Sequence, residues 1–194
     1  MARRSLFLII VNICLLWSLS ACKSTPESAL SLALSVEGNR PLPPLRMQVT
    51  DIRPQNHLVQ IRQGRQPAEF ATSAQPLGSL ISDAVNRTLN IQPESPQTLH
   101  LKVDRALCEV QQSLTRHEAI CEVILIAQSE GPRGELTKTF SRRRTREGQL
   151  AVSLKDLEGD LSDLFSATIN SALNDSGMEQ WLNSQADILQ NQPR

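Results

Sequence analysis

Three groups of side chains in this sequence have the types and spacing to do chemistry: a cysteine behind an apolar run, a spaced cysteine pair and a run of arginines. Cys22 follows Leu19-Ser20-Ala21, and before these lie the basic pair Arg3-Arg4 and the apolar stretch from Leu6 to Trp17. A basic start, a short apolar run and small residues at its end are the parts of a secretory signal, and the run is too short for a comfortable membrane span. Small side chains at Ser20 and Ala21 fit a peptidase pocket, and the sulfur of Cys22 can accept a diacylglyceryl group. Leu19–Cys22 therefore looks like a lipobox. Several acyl chains, at about 0.8 kcal/mol per buried CH₂, anchor a protein without any spanning segment. The expectation is removal of residues 1–21 and lipidation of Cys22; the alternatives are an ordinary signal peptide with a cysteine at its cut site, or an uncleaved helix. Residue 23 is Lys rather than Asp, the usual inner-membrane retention signal, so the periplasmic face of the outer membrane is the expected address.

Cys14 lies within the signal, which leaves Cys108 and Cys121 as an even pair in an oxidising compartment. A disulfide is the default for such a pair. Two separate buried thiols or a metal pair are the alternatives, and metal is disfavoured because no second Cys/His pair stands at ligand spacing. In the run Arg142-Arg143-Arg144-Thr145-Arg146, a strand would place Arg142, Arg144 and Arg146 on one face. Guanidinium forks there can hold phosphate or carboxylate groups of lipopolysaccharide, phospholipid or peptidoglycan. The plainer reading, a charged edge strand that discourages sheet-to-sheet aggregation, weighs more.

Catalysis is poorly provided for. There is no Gly-x-Ser-x-Gly, His-Glu-x-x-His or phosphate-cradling glycine loop, and the only Ser-x-x-Lys, Ser20–Lys23, straddles the cut site. The histidines are 57, 100 and 117, each on or beside an expected strand, where a lone histidine is more often a surface residue than a base. Asp156, Glu158, Asp160 and Asp163 lack the glycine and terminal glutamate of a calcium loop. Acids in the first turns of a helix are expected from its dipole. Loss of residues 1–21 removes Arg3 and Arg4 and no acid, leaving 18 basic against 20 acidic residues, which argues against a nucleic-acid binder.

These residues need a scaffold, and the periodicities supply one. Residues 22–44, rich in Ser, Ala and Pro, read mainly as a flexible tether, with a short strand conceivable over Ala29–Val36. Strands are expected at Met47–Arg53 and His57–Arg62, then a helix from Pro76 with Leu77, Leu80, Ile81, Ala84, Val85 and Leu89 on one face. Long strands follow at Thr98–Val110 and Glu118–Gln128. If Cys108 faces Cys121, Leu101, Val103 and Leu107 share a face with Ile120, Ile124 and Ile126, which is the expected core face. The opposite face, Ala106, Cys108, Val110, Ala119, Cys121, Val123 and Leu125, is less polar than a solvated face should be. Covering by the tether, a second copy or a partner would account for that. A third long strand, Glu135–Glu147, precedes a helix capped by Ser153 and ended by Gly177, then a short helix over Met178–Leu189. The expected fold is α+β, a mostly antiparallel sheet of about five strands with two main helices on one face. It occupies residues 45–188, with 189–194 as a tail.

Taken together, the lipobox Leu19-Ser20-Ala21-Cys22, the segment Val49-Thr50-Asp51-Ile52-Arg53, the long hairpin and the closing Ser153–Gly177 helix resemble the YajG-like family of bacterial lipoproteins. The resemblance covers roughly residues 45–185 of the mature chain. It implies an outer-membrane lipoprotein with a compact α/β domain and no established enzymatic activity. Only Cys22 carries over as a functional residue; Asp51 and Arg53 read as a structural ion pair at a strand end.

The expected function is a non-enzymatic binding or accessory module of the cell envelope, with no cofactor beyond the lipid on Cys22. Its partners would be the outer membrane, through the anchor, and an envelope protein, an anionic envelope component or a second copy. The alternative is a carrier or sensor that binds a lipid or muropeptide between sheet and helices.

Overall fold

The computed structural model describes residues 28–38, 42–131 and 134–190. In chain order the elements are β1 (Ser28–Leu30), β2 (Arg46–Asp51), β3 (His57–Gln63), β4 (Glu69–Ser73) and α1 (Leu77–Asn86). They continue as β5 (Thr98–Gln112), β6 (Arg116–Gly131), β7 (Gly134–Gln149), α2 (Leu154–Leu173) and α3 (Ser176–Gln190). The strands form one sheet in the order β1-β4-β3-β5-β6-β7, with β2 also paired to β5.

The α+β class stands, but the sheet is larger and more mixed than expected. Among the described residues there are seven strands rather than about five, and beside the two main helices the short last helix expected over Met178–Leu189 is present as Ser176–Gln190. β3–β4, β5–β6 and β6–β7 are antiparallel, whereas β1–β4, β2–β5 and β3–β5 are parallel. β2 and β3 lie end to end beside β5, β2 against Thr98–Val103 and β3 against Cys108–Gln112. β4, of five residues, was not expected, and β1, of three, covers only the start of the short strand conceivable over Ala29–Val36; both are too short for alternation to register.

The β5–β6 hairpin holds the chief correction. Cys108 does face Cys121, the pairing supposed for the hairpin, but a bulge between Val103 and Arg105 adds one residue to β5. Beyond it Val103 opposes Leu125 and Leu101 opposes Ala127. Because side chains alternate with period two, one inserted residue exchanges the faces of everything beyond it. The core face is therefore Leu99, Leu101, Val103, Ala106, Cys108 and Val110 with Ala119, Cys121, Val123, Leu125 and Ala127, all 0–1 % exposed. Ile120, Ile124 and Ile126, expected inside, lie on the other face and are only partly buried. The unexpectedly apolar face is thus the one the helices cover. Its alanines and cysteines let a helix approach closely, and Leu157, Leu161, Phe165 and Ile169 of α2 fill the remaining space at 0 % exposure. Each such side chain contributes about 1.5–3 kcal/mol of transfer free energy.

The helix periodicities hold. Leu77, Ile81, Ala84 and Val85 are the buried face of α1, and Ser153 caps α2 by accepting from the Lys155 N–H at 3.2 Å. α2 stops at Leu173 rather than Gly177: Asn174 turns its side chain onto the Asn170 carbonyl, and Gly177 lies in the first turn of α3. Asp175 caps α3 by accepting from the Met178 N–H at 2.7 Å.

Of residues 22–44, read as a flexible tether, 28–38 are part of the domain. Leu30 and Leu32 are buried, while Ser31, Ala33, Ser35 and Glu37 alternate with them on the outside. The backbone N–H groups of those four donate in turn to Glu158, Ser162, Ser166 and Asn170, at 2.7, 3.1, 3.0 and 2.8 Å. Four residues of helix advance about 6 Å, nearly the advance of two extended residues, so the two ladders stay in step. Ser162 and Ser166 direct their own hydroxyl protons to the carbonyls of Glu158 and Ser162, leaving their oxygens free to accept. The segment is strapped to α2.

Candidate functional site

Cys22 and residues 1–21 lie outside the described residues, as do 191–194. Within them, Cys108 and Cys121 form a disulfide across the β5–β6 hairpin, buried under the helices. It braces the core and is not placed to exchange with solvent thiols.

Arg142, Arg144 and Arg146 share a face of β7, as the alternation required. β7 is the edge strand, and this face is the one toward α2, opposite Val123, Cys121 and Ala119. Arg146 donates through Nε and Nη2 to the two oxygens of Asp160, and Arg144 Nη1 donates to Asp160 at 2.7 Å and to Asp163 at 3.1 Å. Arg142 donates to the Ser171 hydroxyl at 2.8 Å. The anion-binding reading therefore meets guanidinium groups that already have partners inside the domain. Asp160, 2 % exposed in its side chain, is the anion they hold. Its carboxyl is held below the usual range by the hydrogen bonds from Arg146, against burial, and by those from Arg144. The hydrogen bonds to Asp160 raise both arginines in turn, further above their ordinary value. Among the four acids noted in the sequence, Asp160 and Asp163 pair with β7 and Glu158 holds the strap.

Asp51 and Arg53 do form an ion pair at the end of β2, in a fork of two 2.9 Å bonds. Arg53, 3 % exposed in its side chain, also reaches the carbonyls of His57 at 3.2 Å and Ala106 at 3.1 Å. It fills the gap where β2 ends, β3 has not begun and β5 bulges, and it serves carbonyls the ladder cannot reach there. Beside it a cleft of about 830 Å³ opens between the end of β2 and the start of α1, lined by Val49, Asp51, Arg53, Ser79 and Asp83 among others. Pro76 gives α1 no side-chain cap. This rim was not read from the sequence, although Asp51 and Arg53 themselves were.

His117 is 9 % exposed, its ring packed over Gly148 and its Nδ1 2.9 Å from the Leu150 carbonyl. A Cβ at residue 148 would lie 2.5 Å from the ring, so a larger residue there would displace His117. His57 stacks at an angle on Phe70, with ring centroids 4.7 Å apart. The helix-free face of the sheet carries Ile120, Ile124 and Ile126 opposite Thr145, Ser141 and Thr139. Arg105 ties together Glu122 at 2.8 Å and Glu109 at 3.3 Å alongside.

No helix among the described residues is long and apolar enough to cross a membrane. The features define a helix-backed mixed-sheet domain with a disulfide across its central hairpin. The chain belongs to the family described as uncharacterized lipoprotein, Lipoprotein_16, the YajG family, whose model matches residues 43–183. Among solved structures it is similar to the crystal structure of protein XCC0632 from Xanthomonas campestris, of the family DUF330. That similarity has a TM-score of 0.53 at 12 % identity and covers 86 % of this chain and 100 % of the other; it is a likeness of fold. A crystal structure titled only as an uncharacterized protein aligns at a TM-score of 0.35 and 11 % identity, over 84 % and 97 % of the two chains. No curated protein matches.

Proposed function

We propose that this protein is a non-enzymatic binding module of the cell envelope, held at the periplasmic face of the outer membrane by acyl chains on Cys22. The observation that carries the reading is the helix-free face of β5, β6 and β7. Ile120, Ile124 and Ile126 lie along β6 on this face and stay half-buried, with the Glu122–Arg105 ion pair between Ile120 and Ile124 and the hydroxyl side chains Thr139, Ser141 and Thr145 on β7 beside them. An apolar stripe with a polar border, on strands of 15–16 residues, has the anatomy of a surface that another molecule covers. Membership of a lipoprotein family supports the anchor, and Lys23 supports the outer membrane.

The test is a photo-cross-linking residue at position 124 of the lipidated protein in native envelopes, with position 180 on α3 as control. The expected result is a discrete adduct from 124 alone, lost in a variant carrying Ile120→Lys and Ile126→Lys that still folds and anchors. An adduct of twice the chain mass would identify a second copy as the partner. No adduct from 124 above that from 180 would refute the reading.

A small-ligand carrier is the second reading, supported by the cleft of about 830 Å³ beside Asp51 and Arg53, a volume in the range of ligand sites. Its mixed charges suit a polar muropeptide better than a lipid. The space between sheet and helices, where the sequence suggested a ligand, is filled by the side chains of α2. Retention of a muropeptide by the native protein but not by Asp83→Lys would favour this reading.

A further inference from the structure

One end of the sheet gathers three turns: Gly64–Gln66 after β3, Ser113–Thr115 after β5, and Leu150–Val152 after β7. They are neighbours, since Gln63 pairs with Gln112 and the Leu150 N–H donates to the Thr115 carbonyl at 3.0 Å. Two leucines project from this end, Leu114 at 86 % and Leu150 at 67 % exposure. Leu150 has a φ of 64°, alone among the described non-glycine residues in the left-handed region. That conformation favours glycine or asparagine, so a bulky apolar side chain held there and turned outward is not explained by folding stability. Arg65 in the first turn and Arg116 directly after the second are both exposed; the three turns contain no acid, and Glu69, Glu118, Glu147 and Asp156 stand three or four residues from them along the chain.

The position of β1 relates this end to the anchor. β1 runs parallel to β4 with Ser28 opposite Ala71, and Ala71 is level with Val59 and Cys108. β1 runs away from the three turns, so its first residue is the one nearest them. Only six residue steps separate Cys22 from Ser28, a reach of about 20 Å at most. The turn at Gly64 lies five residues from Val59, about 17 Å, whereas the opposite end of β5 at Thr98 lies ten residues from Cys108, about 33 Å. Of the two ends of the sheet, a lipid on Cys22 can bring only the end with the turns against a bilayer.

We propose that this end is a membrane-contacting surface: Leu114 and Leu150 enter the headgroup region while Arg65 and Arg116 meet anionic phospholipid phosphates. The strap along α2 holds the domain upright on its short anchor, leaving the helix-free sheet face clear at the side. Leucine side chains rimmed by arginines are the chemistry of an interfacial contact, reinforced by the covalent lipid as a second signal. The inference rests on Cys22 being lipidated, as proposed above.

The test uses the full lipidated chain, its Cys22 acylation checked by intact mass, in vesicles of phosphatidylethanolamine and phosphatidylglycerol. An environment-sensitive fluorophore is placed at Leu114→Cys, at Leu150→Cys and, at the opposite end, at Glu94→Cys, with spin-labelled lipid as quencher. The expected result is a blue shift and strong quenching at 114 and 150 and neither at 94. Reversing the arginines, Arg65→Glu with Arg116→Glu, should lower the quenching severalfold with acylation and far-UV circular dichroism unchanged. Labels at 114 and 150 no more quenched than at 94, in acylated and vesicle-bound protein, would overturn the proposal. An equal blue shift in the unacylated Cys22→Ser chain, free of lipid and detergent, would overturn it too, in favour of a protein contact. An unacylated Cys22 would instead overturn the anchoring reading, and this orientation with it.

Discussion

Arg146 grips Asp160 in a parallel fork, Nε to Oδ2 at 2.7 Å and Nη2 to Oδ1 at 2.8 Å, where the carboxylate is 2 % exposed and the arginine 40 %. Arg144 closes on the same carboxylate at 2.7 Å, so one buried acid holds two arginines of an edge strand against α2. Without it, two like charges would stand side by side on one face of β7.

Asp160→Asn should therefore lower stability at neutral pH by about 2–3 kcal/mol, less than a fully buried pair because both arginines remain half in water. The pH dependence follows from the lowered carboxyl: a group more acidic folded than unfolded contributes stability above its unfolded pKa of about 3.9, and loses it as pH falls through the folded value. Urea midpoints of wild type and variant, read from pH 7 down to about pH 2, should converge at the acid end. Asp175 adds to the same acid sensitivity: burial raises its carboxyl, but Lys138 and the Met178 N–H together outweigh it and the net shift is downward. Parallel curves would contradict the assignment to Asp160.

Arg53 serves Asp51 and two carbonyls from a side-chain position 3 % exposed. Arg53→Met should cost about 2–4 kcal/mol, because the part-buried carbonyls of His57 and Ala106 lose their donor. Arg53→Lys should recover little of this, since one ammonium cannot reproduce the fork. Denaturant midpoints check both, and full rescue by lysine would mean that charge, not geometry, is what matters there.

The strap depends on side chains of α2. Ser166→Ala with Asn170→Ala removes the acceptors for the Ser35 and Glu37 N–H groups, at about 1 kcal/mol each. Amide exchange over Ser35–Glu37 should quicken at least tenfold while the β5–β6 hairpin stays protected. Unchanged exchange would mean that Leu30 and Leu32 alone hold the segment.

Removing the disulfide by Cys108→Ala with Cys121→Ala should lower stability by about 3 kcal/mol, the chain-entropy value for a short loop. The native domain, denatured without reductant, should yield no alkylated cysteine at either position; quantitative labelling of both would refute the bridge.

Much of the local architecture was legible in the sequence. The 3.6-residue recurrence of Leu157, Leu161, Leu164, Phe165 and Ile169 marks the buried stripe of α2, and Ser153 marks its start. The supposed pairing of Cys108 with Cys121 stands, since an even cysteine pair on two adjacent strands gives a natural point of register. The polar stripe Glu158, Ser162, Ser166 and Asn170, spaced by four, was a visible signal for the strap that went unread.

The sequence by itself determined which segments are helix or long strand, because periodicity and capping are local properties, and it made a Cys108–Cys121 pair the default without deciding it. Tertiary structure alone decided which side of the hairpin is the core. Nothing in Val103-Asp104-Arg105 announces a bulge, yet one extra residue exchanges the faces of the β5 residues beyond it. It likewise decided that Arg144 and Arg146 turn to Asp160 rather than to an outside anion, and that residues 28–38 lie on α2, more than 120 positions away in the chain. Parallel pairings and ion-pair partners at such separations depend on how layers stack, which a reading of neighbouring residues does not contain.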